Sequence, residues 1–212
     1  MSNRTAAILL TIVAVCAAPA LADQPAPSAP KAVSRSGIPY KPDDDTAGPK
    51  EIVDAIRARR TGGKLLNLDR MLLHSPNFAK GWNGMFGAIR GQLTVPGKLR
   101  ELCIMAIGTL NHADYEWAQH EPEFIKAGGT PAQLAALKNV ATALKNDRLF
   151  DEAERATLAL VDEMTRSIKV SDATMKRIRK QLPDDQVVEL AGTIAGYNMV
   201  SRFVVALGVE LE

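Results

Sequence analysis

Residues 99–129, LRELCIMAIGTLNHADYEWAQHEPEFIKAGG, decide the fold. They read as a helical hairpin. In the first arm, about 98–110, Leu99, Leu102, Cys103, Ile104, Met105, Ala106, Ile107 and Leu110 cover nearly the whole circumference. A helix apolar on all sides is a buried helix, so this arm belongs at the centre of a core. The second arm, about 113–127, carries Glu116 and His120 one turn apart, and a spacing of four places both on one face. A turn at 110–112 folds the second arm back on the first. Glu101, near the start of the apolar arm, can then meet Glu116 and His120 in a part-buried site. Two carboxyls and an imidazole are the parts of a general acid/base device. The same spacing also suits a surface ion pair, and Glu101 also suits the positive end of its own helix. The sequence by itself leaves both readings standing.

Outward from the hairpin the chain reads as helices throughout. Residues 49–60 make a short amphipathic helix with proline in its first turn, ended by Thr61-Gly62-Gly63. A short piece follows at 66–73. Ser75-Pro76 opens a helix whose apolar face is Phe78, Trp82, Met85, Phe86 and Ile89. Thr94 and Pro96 introduce the first arm of the hairpin. Thr130-Pro131 opens a helix to about 143, and residues 151–168 form a long one. Ser171-Asp172 caps the next, to about 182. Pro183 opens the last, with Val187, Val188, Leu190, Ile194, Tyr197, Val200 and Val204 as its buried stripe. No stretch alternates in the manner of a strand bounded by turns, so the fold class is all-α.

Residues 1–22 read as a cleaved secretory signal peptide. Arg4 supplies the charged start, residues 6–18 the apolar run, and Ala20-Leu21-Ala22 the cleavage site, so the mature chain begins at Asp23. The apolar run is short for a membrane span, and after cleavage no membrane association is expected. The location read from this is the periplasm. One cysteine, Cys103, then remains, which rules out an intramolecular disulfide. Residues 23–48, rich in proline, serine and charge, read as a disordered tail. Residues 49–212 are long enough for one sizeable domain. With 26 basic and 24 acidic residues the formal charge is +2, and aromatics are few and scattered, which excludes a nucleic-acid-binding surface.

The hairpin resembles the carboxymuconolactone decarboxylase family, within the alkylhydroperoxidase D-like superfamily. The resemblance rests on Arg100-Glu101-Leu102, on Tyr115–His120 (YEWAQH) and on the Ala-Gly-Gly that follows. It extends to LLHSP at 72–76 and to GYNMVSRF at 196–203. It implies a helical bundle that assembles into homo-oligomers, trimers or hexamers. It also implies a small-molecule substrate, with Glu101, Glu116 and His120 as the catalytic set and no metal or cofactor. The alkylhydroperoxidase D relatives carry a Cys-x-x-Cys at the head of the second arm. Laid on this chain, those cysteines fall on Ala113 and Glu116, so the dithiol is missing. A thiol-based peroxidase needs both an attacking and a resolving thiol.

The chemistry expected is therefore decarboxylation or proton transfer on a small carboxylated lactone or related carbon acid. Loss of carbon dioxide sends electrons into the conjugated lactone carbonyl, and the resulting dienolate takes up a proton. His120 is the expected proton donor. Glu116 is expected to orient its ring, and Glu101, desolvated by the apolar arm, to relay a proton through a raised pKa. Tyr115, Trp117, His112 and Arg202 are the candidate substrate-binding residues, Arg202 for a carboxylate. Ordinary packing for the two aromatics, a solvent-exposed turn for His112 and a surface position for Arg202 are the competing readings. His74 reads as structural, and no ligand pair has metal-site spacing. An antioxidant peroxidase and a non-catalytic binding protein on the same fold are the alternatives.

Overall fold

The computed structural model describes residues 33–212; the signal-peptide reading and the first part of the tail lie outside them. Among the described residues there are ten α-helices and no strand. The first three, α1 (Lys50–Arg57), α2 (Asn67–Leu72) and α3 (Pro76–Gly91), lead to the hairpin arms α4 (Gly97–Leu110) and α5 (Asp114–Lys126). Then follow α6 (Pro131–Leu137), α7 (Val140–Ala143), α8 (Glu152–Arg166), α9 (Asp172–Arg179) and α10 (Asp184–Leu207). The all-α expectation holds.

The all-round apolar arm is indeed the centre. Every residue of α4 from Glu101 to Ile107 is buried, and the helix packs on α5, α8 and α10. Burying each large apolar side chain there stabilises the fold by about 1.5–3 kcal/mol, so Leu102, Ile104, Met105 and Ile107 anchor it. Thr94 does not cap this helix. Its N–H and hydroxyl, with the N–H of Val95, donate to Glu189 Oε2 on α10, so the entry to α4 is fixed from across the bundle.

The turn between the arms places His112 at φ +52°, and Ala113 N–H closes back on Gly108 O at 2.8 Å. Gly128, at φ +99°, and Gly129 end the second arm. A Cβ on Gly129 would lie 2.3 Å from the Phe124 ring, so no other residue fits without displacing a buried phenyl.

Three sequence expectations are corrected. The helix expected over 131–143 is two helices, because the Asn139 side chain accepts from Thr142 N–H and starts a new one. The face of α3 is only partly buried: Phe78 and Met85 are exposed while Trp82, Phe86 and Ile89 are not, and Val188 on α10 is also exposed. The described part of the 23–48 tail is not disordered. Ser34, Tyr40 and Ala47 are buried, Arg35 N–H donates to Gly208 O, and Tyr40 Oη accepts from Glu210 N–H at 2.9 Å. One tyrosine anchoring a proline- and serine-rich segment is invisible to an average over composition.

Candidate functional site

The hairpin brings the three expected groups together. Glu101 faces outward from α4 toward α5, where Glu116 and His120 share a face, and all three are buried, at 1%, 4% and 6% exposure. His120 Nδ1 lies 2.8 Å from Glu101 Oε2, and His120 Nε2 lies 3.6 Å from Glu116 Oε2. Arg100 Nε donates to the other oxygen of Glu101 at 3.2 Å.

The two carboxyls are not equivalent. Burial pushes Glu101 up, but the hydrogen bond from His120 and the charges of His120, Arg90 and Arg100 outweigh it, and its pKa lies below the ordinary value. Glu116 is pushed up by burial, only partly opposed by His120, Arg90 and Arg60. The expected roles are therefore exchanged. An ionised Glu101 can only accept, so Nδ1 carries the hydrogen and Glu101 fixes the ring and its tautomer. Nε2 then faces Glu116, a carboxyl that favours its protonated form. One proton can sit on either of the two without changing the charge of the site.

Arg90, at the end of α3, does not stand out in the sequence. Its Nη1 lies 3.4 and 3.3 Å from Nδ1 and Nε2 of His120. A donor that close to both nitrogens cannot lie in the ring plane without striking the carbon between them, so the guanidinium rides over the ring face. The same Nη1 donates to Tyr197 Oη at 3.4 Å, and Nη2 faces Glu123 at 3.6 Å. The Tyr197 ring stands edge-on to His120, with centroids 5.2 Å apart, and burial raises the pKa of its phenol. A signal for Arg90 does exist: Trp82, Phe86 and Arg90 are four apart, so a cation stands on the buried stripe of α3. Tyr197 reads in the sequence only as packing.

Glu116, His120, Arg90, Glu123 and Tyr197 line a cavity of about 300 Å³, with Glu101 behind His120. Trp82, Phe86, Leu68 and Val200 give it an apolar wall, and Arg59, Arg60, Lys64 and Gln119 a polar side. Of the candidate binding residues, only Tyr115 lines it, and its hydroxyl donates to Glu212 rather than to Glu101, Glu116 or His120. Trp117 is turned away. Lys138 Nζ sits over its ring at 3.2 Å, and its indole N–H donates to Glu121. The site face of α5 runs through Tyr115, Glu116, Gln119, His120 and Glu123, and the 100° step per residue carries Trp117 off it. His112 borders a separate groove with Gly208, Glu210 and Leu211. Arg202 is exposed and donates to the carbonyl and side chain of Asn198. His74 bonds Pro39 O, a structural contact. Cys103 is buried in α4, outside the cavity, and burial followed by the charge of Glu101 pushes its thiol pKa up. Among the described residues no cluster has the composition of a metal site.

The profile of the carboxymuconolactone decarboxylase family matches residues 76–163, which take in Arg90, Glu101, Glu116 and His120. No curated protein matches the sequence. Among solved structures, an uncharacterised peroxidase-related protein from Silicibacter sp. TM1040 superposes with a TM-score of 0.68 at 17% identity, over 81% of this chain and 90% of that one. An alkylhydroperoxidase AhpD core protein from Ralstonia eutropha JMP134, also peroxidase-related, gives 0.67 at 20% identity, with the same coverage. The debrominase Bmp8, as a cysteine-to-alanine variant in complex with 2,3,4-tribromopyrrole, gives 0.62 at 17% identity, over 77% of this chain and 84% of that one. At these identities the superpositions speak to the fold. With the profile match, which covers residues 76–163 of the 212, they show an AhpD-like helical fold whose central segment is similar to the carboxymuconolactone decarboxylase family.

Proposed function

We propose that the chain is an acid/base enzyme that decarboxylates, or moves a proton on, a small unsaturated carboxylated lactone or related carbon acid. The observation that carries this reading is the buried relay Glu101–His120–Glu116, with 2.8 Å between the first pair and 3.6 Å between the second. Its proton sits where it can be delivered into a cavity.

In the step proposed, the bond between carbon and the departing carboxylate breaks. Its electron pair moves into the conjugated carbonyl, and carbon dioxide leaves. Arg90, lying against His120 and Tyr197, stabilises the charge that develops on the carbonyl oxygen. The carbanionic carbon then takes the proton held between His120 Nε2 and Glu116. Water returns one proton to the pair, so each turnover consumes one. Glu101 stays ionised and holds the Nδ1–H. Substrate supplies its own electron sink, so these groups suffice.

A thiol-dependent peroxide reduction fits the cavity less well, because no cysteine lines it. The test is a screen of mature protein against carboxylated lactones in deuterated water, following carbon dioxide release and deuterium at the product carbon. Release that vanishes in His120→Ala supports the reading. Peroxide turnover that survives His120→Ala and is lost in Cys103→Ser would overturn it. The proposal includes export, with a native N-terminus at Asp23 by mass spectrometry, and assembly into a trimer or hexamer, read by light scattering.

A further inference from the structure

The basic side of the cavity contains one arginine with no ion-pair partner among the described residues. Of the arginines near the site, Arg57 pairs with Asp43, Arg60 with Asp69, Arg90 with Glu123 and Arg100 with Glu101. Among the described residues Arg59 pairs with no carboxylate. Its Nε–H donates to Asn83 Oδ1 at 2.5 Å, and the Asn83 amide is itself held by Ala55 O at 3.1 Å. That clamp fixes the plane of the guanidinium. Nη1 and Nη2 make no hydrogen bond among the described residues, and Arg59 lines the cavity beside Trp82 and Phe86. Burial and the neighbouring Arg60 and Arg90 cations disfavour its charge, and Asp69, itself paired with Arg60, and Tyr197 offset that only in part. A guanidinium stays protonated regardless and offers a planar fork that matches a carboxylate. Lys64, exposed at the same rim and without an acidic partner among the described residues, adds a second cation to the approach.

We propose that Arg59 is the specificity-determining residue of this site: it seats a carboxylate of the substrate that is not the one lost, with the unsaturated body laid against Trp82 and Phe86. The assignment rests on the proton-transfer reading above and adds to it a polarity for the bound molecule. An arginine fork on the departing carboxylate would stabilise the ground state against the bond breaking. On a spectator carboxylate it leaves the chemical step unhindered and orients the reacting carbon toward His120. Arg59 precedes the segment matched by the family profile, so the specificity is carried by the α1–α2 connection of this chain.

The test uses trans-cinnamate and its neutral isostere cinnamamide. It runs in a Trp117→Phe background, so that Trp82 is the only tryptophan reporting fluorescence. Cinnamate should quench saturably and bind roughly 10–100-fold more tightly than the amide, the worth of a charge-assisted hydrogen-bond pair. Arg59→Gln should abolish that preference and leave amide binding unchanged, and Arg59→Lys should restore part of it. An unchanged thermal midpoint for Arg59→Lys shows that the fold is intact. Equal affinity for acid and amide, no saturable quenching by either, or an acid preference that persists in Arg59→Gln would each overturn the assignment. The two readings fail separately. An Arg59-dependent preference with no lactone turned over leaves the anion seat standing and sinks the proton-transfer reading. Turnover with a KM indifferent to Arg59→Gln does the reverse.

Discussion

Glu101→Gln is the substitution that bears most directly on the relay. Gln has the shape of Glu but one donating end. Arg100 Nε donates to Oε1 of residue 101, so the amide oxygen is drawn to that side and the NH₂ is turned toward His120 Nδ1. Two donors then face each other unless the ring changes tautomer. The expected outcome is a shift of the hydrogen from Nδ1 to Nε2, leaving no lone pair toward Glu116. The lost bond is a buried, charge-assisted one worth about 1.5–3 kcal/mol. At about 2–4 °C per kcal/mol for a chain of this size, the midpoint should fall by roughly 3–12 °C. Turnover should drop by roughly 10²–10⁴-fold, the weight of a mispositioned acid/base group. Long-range ¹⁵N–¹H spectra of imidazole-labelled protein read the tautomer without any substrate, and His120→Ala identifies the signal among the three histidines. The reasoning is refuted if wild-type His120 carries its hydrogen on Nε2, or if Glu101→Gln leaves the tautomer where it was.

Glu116→Gln removes a carboxyl whose pKa is raised by burial. Such a group contributes stability below its unfolded-state pKa and loses it as pH rises through the folded value, so the variant should gain thermal stability over wild type as pH increases. A stability difference independent of pH would show that Glu116 is not desolvated. In Cys103→Ser any peroxide consumption should be unchanged, since the thiol is buried and away from the cavity; loss of that activity would bring a thiol mechanism to the front. Gly129→Ala should lower the thermal midpoint markedly, because its methyl would meet the Phe124 ring; a midpoint within a degree or so of wild type would contradict the close approach. Glu212→Ala frees Gln119, Tyr115 and the N–H of Asn67 together, so slow amide exchange at Asn67 should be lost while exchange in α8 is kept. Protection at both places would show that Glu212 does not tie α2 to the site.

The hairpin is legible because periodicity carries its two decisive facts. An arm apolar on every side must be buried, and residues four apart on the other arm must share a face. Together these bring Glu101, Glu116 and His120 to one place from the residues alone. What periodicity does not carry is the direction of a side chain about the helix relative to a third element. Trp117 is adjacent in sequence to Glu116 and lies off the site, whereas Arg90 is remote in sequence and lies on it. The anchored tail is hidden for a different reason: Tyr40 is held by a hydrogen bond from Glu210, a pairing across most of the chain that no local window contains.

The exchange of roles between the two glutamates follows from the same limit. The apolar arm implies burial for Glu101, and burial alone would raise its pKa. The outcome turns on which carboxyl receives compensation. Glu101 takes a hydrogen bond from His120 and another from Arg100, with Arg90 close by, whereas Glu116 has no such bond: His120 lies at a longer 3.6 Å, and the charges of His120, Arg90 and Arg60 oppose its burial only in part. Desolvation is offset at one position and left standing at the other. The site thus holds one carboxyl that stays charged and one that tends to stay neutral, with an imidazole between them. In the proposed proton transfer that asymmetry gives the relay its direction: the compensated end orients, and the less compensated end holds the proton where the cavity can receive it.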